Sequence, residues 1–208
     1  MRNLFTITLL AVSTTLFAQY DPEALAVLDA MSAKYKQTEA FKATFTQQLT
    51  NKEAGLDESL TMEITVKGAM FVLELAGQKI FNNGSDIYTF SEEASEVTIS
   101  PYEAEEAEIN PSNVYDLYKE GFKYALLSTM ENGVRVIELD PENRDEKTYF
   151  KIRMNINSKD EIESFIVFEK TGNRYTYSIE GFEEIEVSDN FFTFDTSKYP
   201  NVEVIDFR

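Results

Sequence analysis

The chain has 208 residues, 37 acidic and 19 basic, for a formal charge of -18; that length suits one domain, and that charge excludes binding that needs clustered Lys and Arg, as nucleic acid and anionic membrane surfaces do. It holds no Cys and no His, which excludes disulfides, thiol nucleophiles, Ser-His-Asp and Cys-His catalysis, HExxH zinc sites and haem on a proximal His. Sixteen Phe and eleven Tyr with no Trp leave ample apolar bulk for a large core or an apolar cavity.

Residues 1–18 read as a secretory signal peptide. Arg2 is the charged start, Leu4 to Phe17 form an apolar run, and Ala18 is a small residue at the expected cut before Gln19. The run is shorter than the ~20 residues of a membrane span. No Cys follows it, so the mature chain is not expected to be lipidated. An exported, Cys-free chain points to a bacterial periplasm, with residues 19–208 as a single domain.

A helix is expected from Asp21 as N-cap and Pro22 as first helical residue, fading by Thr38. Leu25, Leu28, Met31 (or Ser32) and Tyr35 share one face at helical spacing. The period then changes to two. Phe41, Ala43, Phe45, Gln47 and Leu49 alternate with polar residues, and Leu60, Met62, Ile64 and Val66 do so after a loop at Gly55. Gly68-Ala69 turns the chain into Phe71, Leu73 and Leu75. Asn82-Asn83-Gly84, Asn132-Gly133, Asp140-Pro141, Ser158-Lys159-Asp160 and Gly172-Asn173 punctuate further short strands, roughly eleven or twelve in all and mostly antiparallel. Residues 102–120 interrupt them. There an acidic run (Glu103, Glu105, Glu106, Glu108) precedes Asn110-Pro111 as a second helix start, Val114, Leu117 and Tyr118 share a face, and Gly121 marks the stop.

A long antiparallel sheet of this kind twists and curls. Its apolar face needs a cover, which the helices supply. Either an apolar cavity remains under them or Phe and Leu fill the space. The Glu103–Glu108 cluster lacks the spaced ligands and sharp-turn Gly of a calcium loop and reads as a solvated face. No pair of carboxylates stands out for glycoside hydrolysis, so no catalytic residue, cofactor or metal is assigned and the chain is read as non-enzymatic.

Five segments in order resemble the LolA family, periplasmic carriers that move lipoproteins to the outer membrane. Ala40-Phe41-Lys42-Ala43-Thr44-Phe45-Thr46-Gln47 is similar to the family's SFxAxFxQ strand. Val66 to Leu73 is similar to its basic-Pro-x-x-Phe-x-Trp strand, and Asn83 to Phe90 to DGxxxWxY. Leu139-Asp140-Pro141 resembles the LxP turn. Phe192-Thr193-Phe194 followed by Pro200 to Asp206 resembles the closing FxF and PxGVxVxD.

The resemblance implies a mainly β protein with a helical lid (α+β): an incomplete antiparallel β-barrel of about eleven strands under about three helices. It implies a periplasmic, monomeric carrier of acylated lipoproteins, loaded by an inner-membrane ABC transporter and unloaded at an outer-membrane acceptor. The alternatives are a LolA-like binder of another lipid or amphiphile, and a filled-core envelope interaction protein. The cavity and lid would be formed by Leu25, Leu28, Met31, Val114, Leu117 and Tyr118 on helices. Phe45, Met62, Ile64, Phe71, Leu73, Tyr88, Phe90, Phe165, Tyr175 and Tyr177 would contribute from strands. The family's lid-locking Arg falls at Lys67, or at Gly68 in the other register, with no Pro after either. Lys67→Leu is expected to slow release or trap cargo.

Overall fold

The structure, a computed structural model, describes residues 20–103 and 114–208. Helix α1 (Pro22–Gln37) starts where the Asp21 carboxylate accepts the Glu23 N–H at 2.9 Å, with Pro22 opening the first turn. Lys34 and Lys36 stand in its last turn, where cations suit the helix dipole. Thr38 is extended and ends it. Ala24, Leu28, Met31, Ser32 and Tyr35 form its buried stripe.

Twelve strands follow in one sheet. In chain order they are β1 (Ala40–Asn51), β2 (Leu56–Lys67), β3 (Met70–Leu75), β4 (Gln78–Asn82), β5 (Asp86–Ser91), β6 (Glu96–Pro101), β7 (Phe122–Thr129), β8 (Arg135–Pro141), β9 (Tyr149–Ile156), β10 (Ile162–Glu169), β11 (Arg174–Glu184) and β12 (Glu203–Asp206). The spatial order is β12-β6-β5-β4-β3-β2-β1-β11-β10-β9-β8-β7. Every neighbouring pair is antiparallel except β12 with β6, which is parallel. Short turns explain the antiparallel hairpins; Gly68 at the β2–β3 turn takes φ +58°, a value that suits Gly. Among the described residues β12 and β7 are the two ends of this order, so the sheet is open rather than closed.

Register assigns the two faces. Ala43 pairs with Ile64, Ile64 with Leu73, and Leu73 with Ile80. On the other side of β1, Ala43 pairs with Phe182, Tyr177 with Phe165, Phe165 with Met154, and Met154 with Ile137. These residues line the inner face, and α1 packs on it: Leu28 and Met31 are fully buried in the same apolar cluster as Ile137, Ile152 and Met154. The outer face of β3 to β6 carries a second cluster. There Tyr88, Phe90, Val97 and Ile99 pack under Phe194, with Phe81, Tyr199 and Val202 around them.

The expected helical complement is corrected. Among the described residues there is one α-helix rather than about three, and the strands number twelve. The insert expected from Asn110-Pro111 lies partly outside the described residues. Its described end forms only a 3-10 turn, Leu117–Lys119, which Tyr118 anchors through its burial and its hydroxyl bond to Asp29 at 2.6 Å. After β11 the chain forms 3-10 turns at Asp189–Phe192 and Thr196–Lys198. Much of the acidic cluster of residues 103–108 also lies outside the described residues.

Candidate functional site

Between α1 and the inner face lies an apolar cavity of about 110 Å³. Its floor comes from the middle of the sheet, with Phe41, Ala43 and Phe45 of β1, Ile64 of β2, Phe165 of β10 and Tyr177, Ile179 and Phe182 of β11. Its roof is Tyr35 of α1 with Val114 and Tyr115. The Tyr35 and Tyr115 rings stack at 5.2 Å with planes 4° apart. A cavity of about 150 Å³ admits one benzene, so this space is too small for the long acyl chain of a lipid. The apolar stripe of α1 packs in the same cluster as the surrounding inner-face residues.

Polar contacts hold the roof in place. At its start, the Asp21 carboxylate also accepts the Leu126 N–H of edge strand β7 at 2.9 Å. At its end, the Tyr35 hydroxyl accepts the Ile162 N–H at 3.2 Å, and Lys34 pairs with Glu161 at 3.0 Å. Burial pushes the Tyr35 phenol up to about 12, so it stays protonated. In the middle, Asp116 gathers three donors: Ser32 Oγ at 2.5 Å, Lys119 at 2.6 Å and Lys36 at 2.8 Å. Burial would raise its pKa, but the hydrogen bonds from Lys119, Lys36 and Ser32 outweigh that and hold it below its ordinary value. Asp116 thereby ties α1 to the segment that carries Tyr115 and Tyr118.

The residues singled out in the sequence divide into four groups. Phe45, Ile64, Val114, Phe165 and Tyr177 line the cavity. Leu25, Leu28, Met31, Phe71, Leu73, Leu117, Tyr118 and Tyr175 belong to the surrounding inner core without lining it. Met62 is buried opposite Phe45 but lines a different pocket, beside Leu75 and Tyr199. Tyr88 and Phe90 lie on the outer face in the second cluster. Strict alternation makes Phe90 and Leu73 indistinguishable in sequence, because both faces of β3 to β6 are covered.

Lys67 donates to the Val187 carbonyl at 3.1 Å and pairs with Asp189 at 2.9 Å and Glu39 at 3.5 Å. The hydrogen bond with Asp189 is the main cause of its raised pKa. These partners place its ammonium on the strap that follows β11 and on the turn after α1. Gly68, the alternative position, borders a separate pocket beside Thr38 and Tyr115.

Several lining residues lie outside the set expected from the sequence. Tyr35 shares the helical face of Leu28 and Met31, and Phe41 and Ala43 share the alternation of Phe45, so both signals are present. Ile179 and Phe182 carry no simple signal. A bulge opposite Ala43 and Phe45 inserts an extra residue in β11, with Gly181 at φ +131°, and breaks the period of two.

Among the described residues no group of His, Cys, Asp or Glu is arranged to hold a metal. None of their helices is long and apolar enough to cross a membrane.

The family model described as outer membrane lipoprotein carrier protein LolA matches residues 36–195. No curated protein sequence matches the chain. The fold is similar to that of an uncharacterized conserved protein from Thermus thermophilus, with a TM-score of 0.59 and 10% identity, covering 88% of this chain and 99% of that one. A LolA superfamily protein from Nitrosomonas europaea gives a TM-score of 0.49 and 14% identity, covering 83% of this chain and 98% of that one. The lipoprotein LppX from Mycobacterium tuberculosis gives 0.45 and 9%, covering 78% and 98%.

Proposed function

The chain belongs to the LolA family, and on that premise we propose that it is a periplasmic carrier that holds the acyl chains of lipoproteins against the inner face of its sheet. It takes them from an inner-membrane ABC transporter and gives them to an outer-membrane acceptor, acting as a monomer and without catalysis.

The observation that supports this reading is the way α1 fills its own site. Leu28 and Met31 are fully buried on the inner face, and the space left beside them is only about 110 Å³. An acyl chain of ~16 carbons at ~0.8 kcal/mol per CH₂ is worth on the order of 12 kcal/mol when buried. Three such chains exceed the practical ceiling of roughly 20 kcal/mol for non-covalent binding. Cargo held that tightly would never leave. Here cargo enters only by displacing the apolar stripe of α1, so net affinity is the difference between two burials. Release follows when the helix returns.

The test is release from spheroplasts of the host. The purified mature chain is incubated with them, and the supernatant is probed for triacylated lipoproteins bound one to one. Their appearance supports the carrier reading. Uptake of an apolar dye without lipoprotein release makes the chain a LolA-like binder of another amphiphile. Neither release nor dye uptake makes the filled inner core a structural one, and the carrier reading falls.

A further inference from the structure

A second cleft, of about 410 Å³, opens between the first half of α1 and the start of β7, apart from the cavity above. Three tyrosines wall it. Tyr124 packs edge to face with Tyr20 at 5.6 Å and 72°, and with Tyr118 at 6.3 Å and 78°. Two carboxylates complete it, each accepting a phenol: Glu142 from Tyr20, and Asp29 from Tyr118 at 2.6 Å. These bonds hold the two rings against the carboxylates. Among the described residues the one cation in the lining is Lys119, and Asp116 neutralises it at 2.6 Å. Its ammonium already lies 5.6 Å from the centre of the Tyr118 ring, so the chain's own lysine uses one wall of the cleft as a cation–π partner. The floor is apolar and continuous with the inner core: Leu25 and Phe122 line the cleft and also pack in the cluster under α1.

Electron-rich rings set edge to face beside two carboxylates form the kind of cage that recognises organic ammonium groups. We propose that this cleft binds the ammonium head of an amphiphile whose tail enters the inner core beneath α1. The inference rests on the carrier reading and deepens it: the chain selects cargo by a cationic head as well as by apolar bulk. Tyr20 and Glu142 lie at the rim, and the buried Tyr118 lies deeper.

The experiment uses the mature chain and three probes: tetramethylammonium chloride, dodecyltrimethylammonium and dodecyl maltoside, the two detergents below their micellar concentrations. Calorimetry gives the detergent affinities, and proton NMR follows the tyrosine rings. Dodecyltrimethylammonium is expected to bind about tenfold more tightly than the maltoside. Tetramethylammonium alone is expected to shift the Tyr20, Tyr118 and Tyr124 rings. Glu142→Gln and Tyr20→Leu, both at exposed positions, are expected to bring the two detergents close to parity while leaving maltoside affinity unchanged. Each variant hardly alters so large a net charge, so a general attraction of cations would survive both. Equal detergent affinities in the native chain, or a preference untouched by both variants, overturns the cage and leaves the carrier reading standing. Ring shifts with tetramethylammonium, but no binding of either detergent, leave an ammonium cage without a tail site and overturn both the proposal and the carrier reading.

Discussion

The inner face of the sheet is roofed by a helix, and the outer face of β3 to β6 is roofed by irregular chain that ends in a strand. Both roofs bury apolar side chains. Leu28 and Met31 come from α1, and Phe194 and Tyr199 from the segment after β11. They differ in what their backbones need. A helix satisfies its own N–H and C=O groups apart from its ends, so it can lift away with its own backbone still paired. The outer roof cannot, because β12 supplies the parallel ladder that β6 needs at its edge. The inner roof also sits over residual space and is held by a few polar contacts, whereas the outer roof is ring on ring: Phe194 lies 5.1 Å from Phe90, 4.8 Å from Tyr199 and 5.7 Å from Phe81. One sheet therefore carries a cover whose backbone is self-sufficient and a cover that belongs to the sheet, and on the carrier reading proposed above the first is the one that cargo displaces.

The largest effect expected from breaking this division is at Phe194. Truncation of a buried Phe to Ala costs about 3–5 kcal/mol. Phe194→Ala should lower the urea midpoint accordingly and leave amphiphile affinity unchanged while the chain remains folded. Leu28→Ala should cost about 2–4 kcal/mol and behave differently in binding. It weakens the closed state that cargo must displace, so amphiphile affinity should rise. If both variants shift binding alike, or neither does, the two roofs are equivalent and the division fails.

A third, smaller effect is expected at Asp116, which ties α1 to the segment bearing Tyr115. Loss of its charge-assisted hydrogen bonds is worth about 1–2 kcal/mol. The sign of the pH effect follows from its lowered pKa. The contribution is complete above the ordinary value of 3.8 and is lost as pH falls through the lower folded value. Apolar dye uptake should therefore rise below that pH in the native chain. Asp116→Asn should show the raised uptake already at neutral pH and a smaller acid step. A variant whose acid step matches the native one would place the latch elsewhere.

Much of this architecture is legible in the sequence, and the misses have physical causes. Asp21-Pro22 and the stripe Leu28, Met31 and Tyr35 locate α1 and its buried face, because capping and helical period are local. The alternation in β1 and β2 locates their inner residues for the same reason. The face of Tyr88 and Phe90 is not legible, since alternation says that one side is buried but not which cover buries it. The outer cover comes from residues a hundred positions later. The second cleft is invisible as well: Tyr20, Tyr118 and Tyr124 meet through long-range contacts, Asp21 with β7 and Tyr118 with Asp29. Five family motifs in order supply what the local patterns lack; all but the closing stretch Pro200 to Asp206 fall within the family match over residues 36–195.

The smallest expected effect is at Lys67, where the two roofs come nearest to a shared contact. Its ammonium meets Val187 and Asp189 at the start of the outer strap and Glu39 just beyond the end of α1. If the strap contacts dominate, Lys67 is a tether for the permanent cover. Lys67→Leu then loosens that cover slightly and leaves cargo release at its native rate. If the Glu39 contact dominates, the same substitution alters the movable cover, and release slows or stops as the family resemblance implies. The distances favour the strap: Asp189 lies closer than Glu39, and the Val187 carbonyl adds a second bond there. Asp189 and Glu39 are both largely exposed, so solvent screens either pairing and the stability change should be the smallest of the four. The expected outcome is a slightly lowered urea midpoint with an unchanged release rate in the spheroplast assay. Combining Lys67→Leu with Phe194→Ala then becomes informative, because a tether and the ring it holds in place act on one cover and their effects should not add. Additive losses, or a changed release rate in the single variant, would move Lys67 from the permanent roof to the movable one.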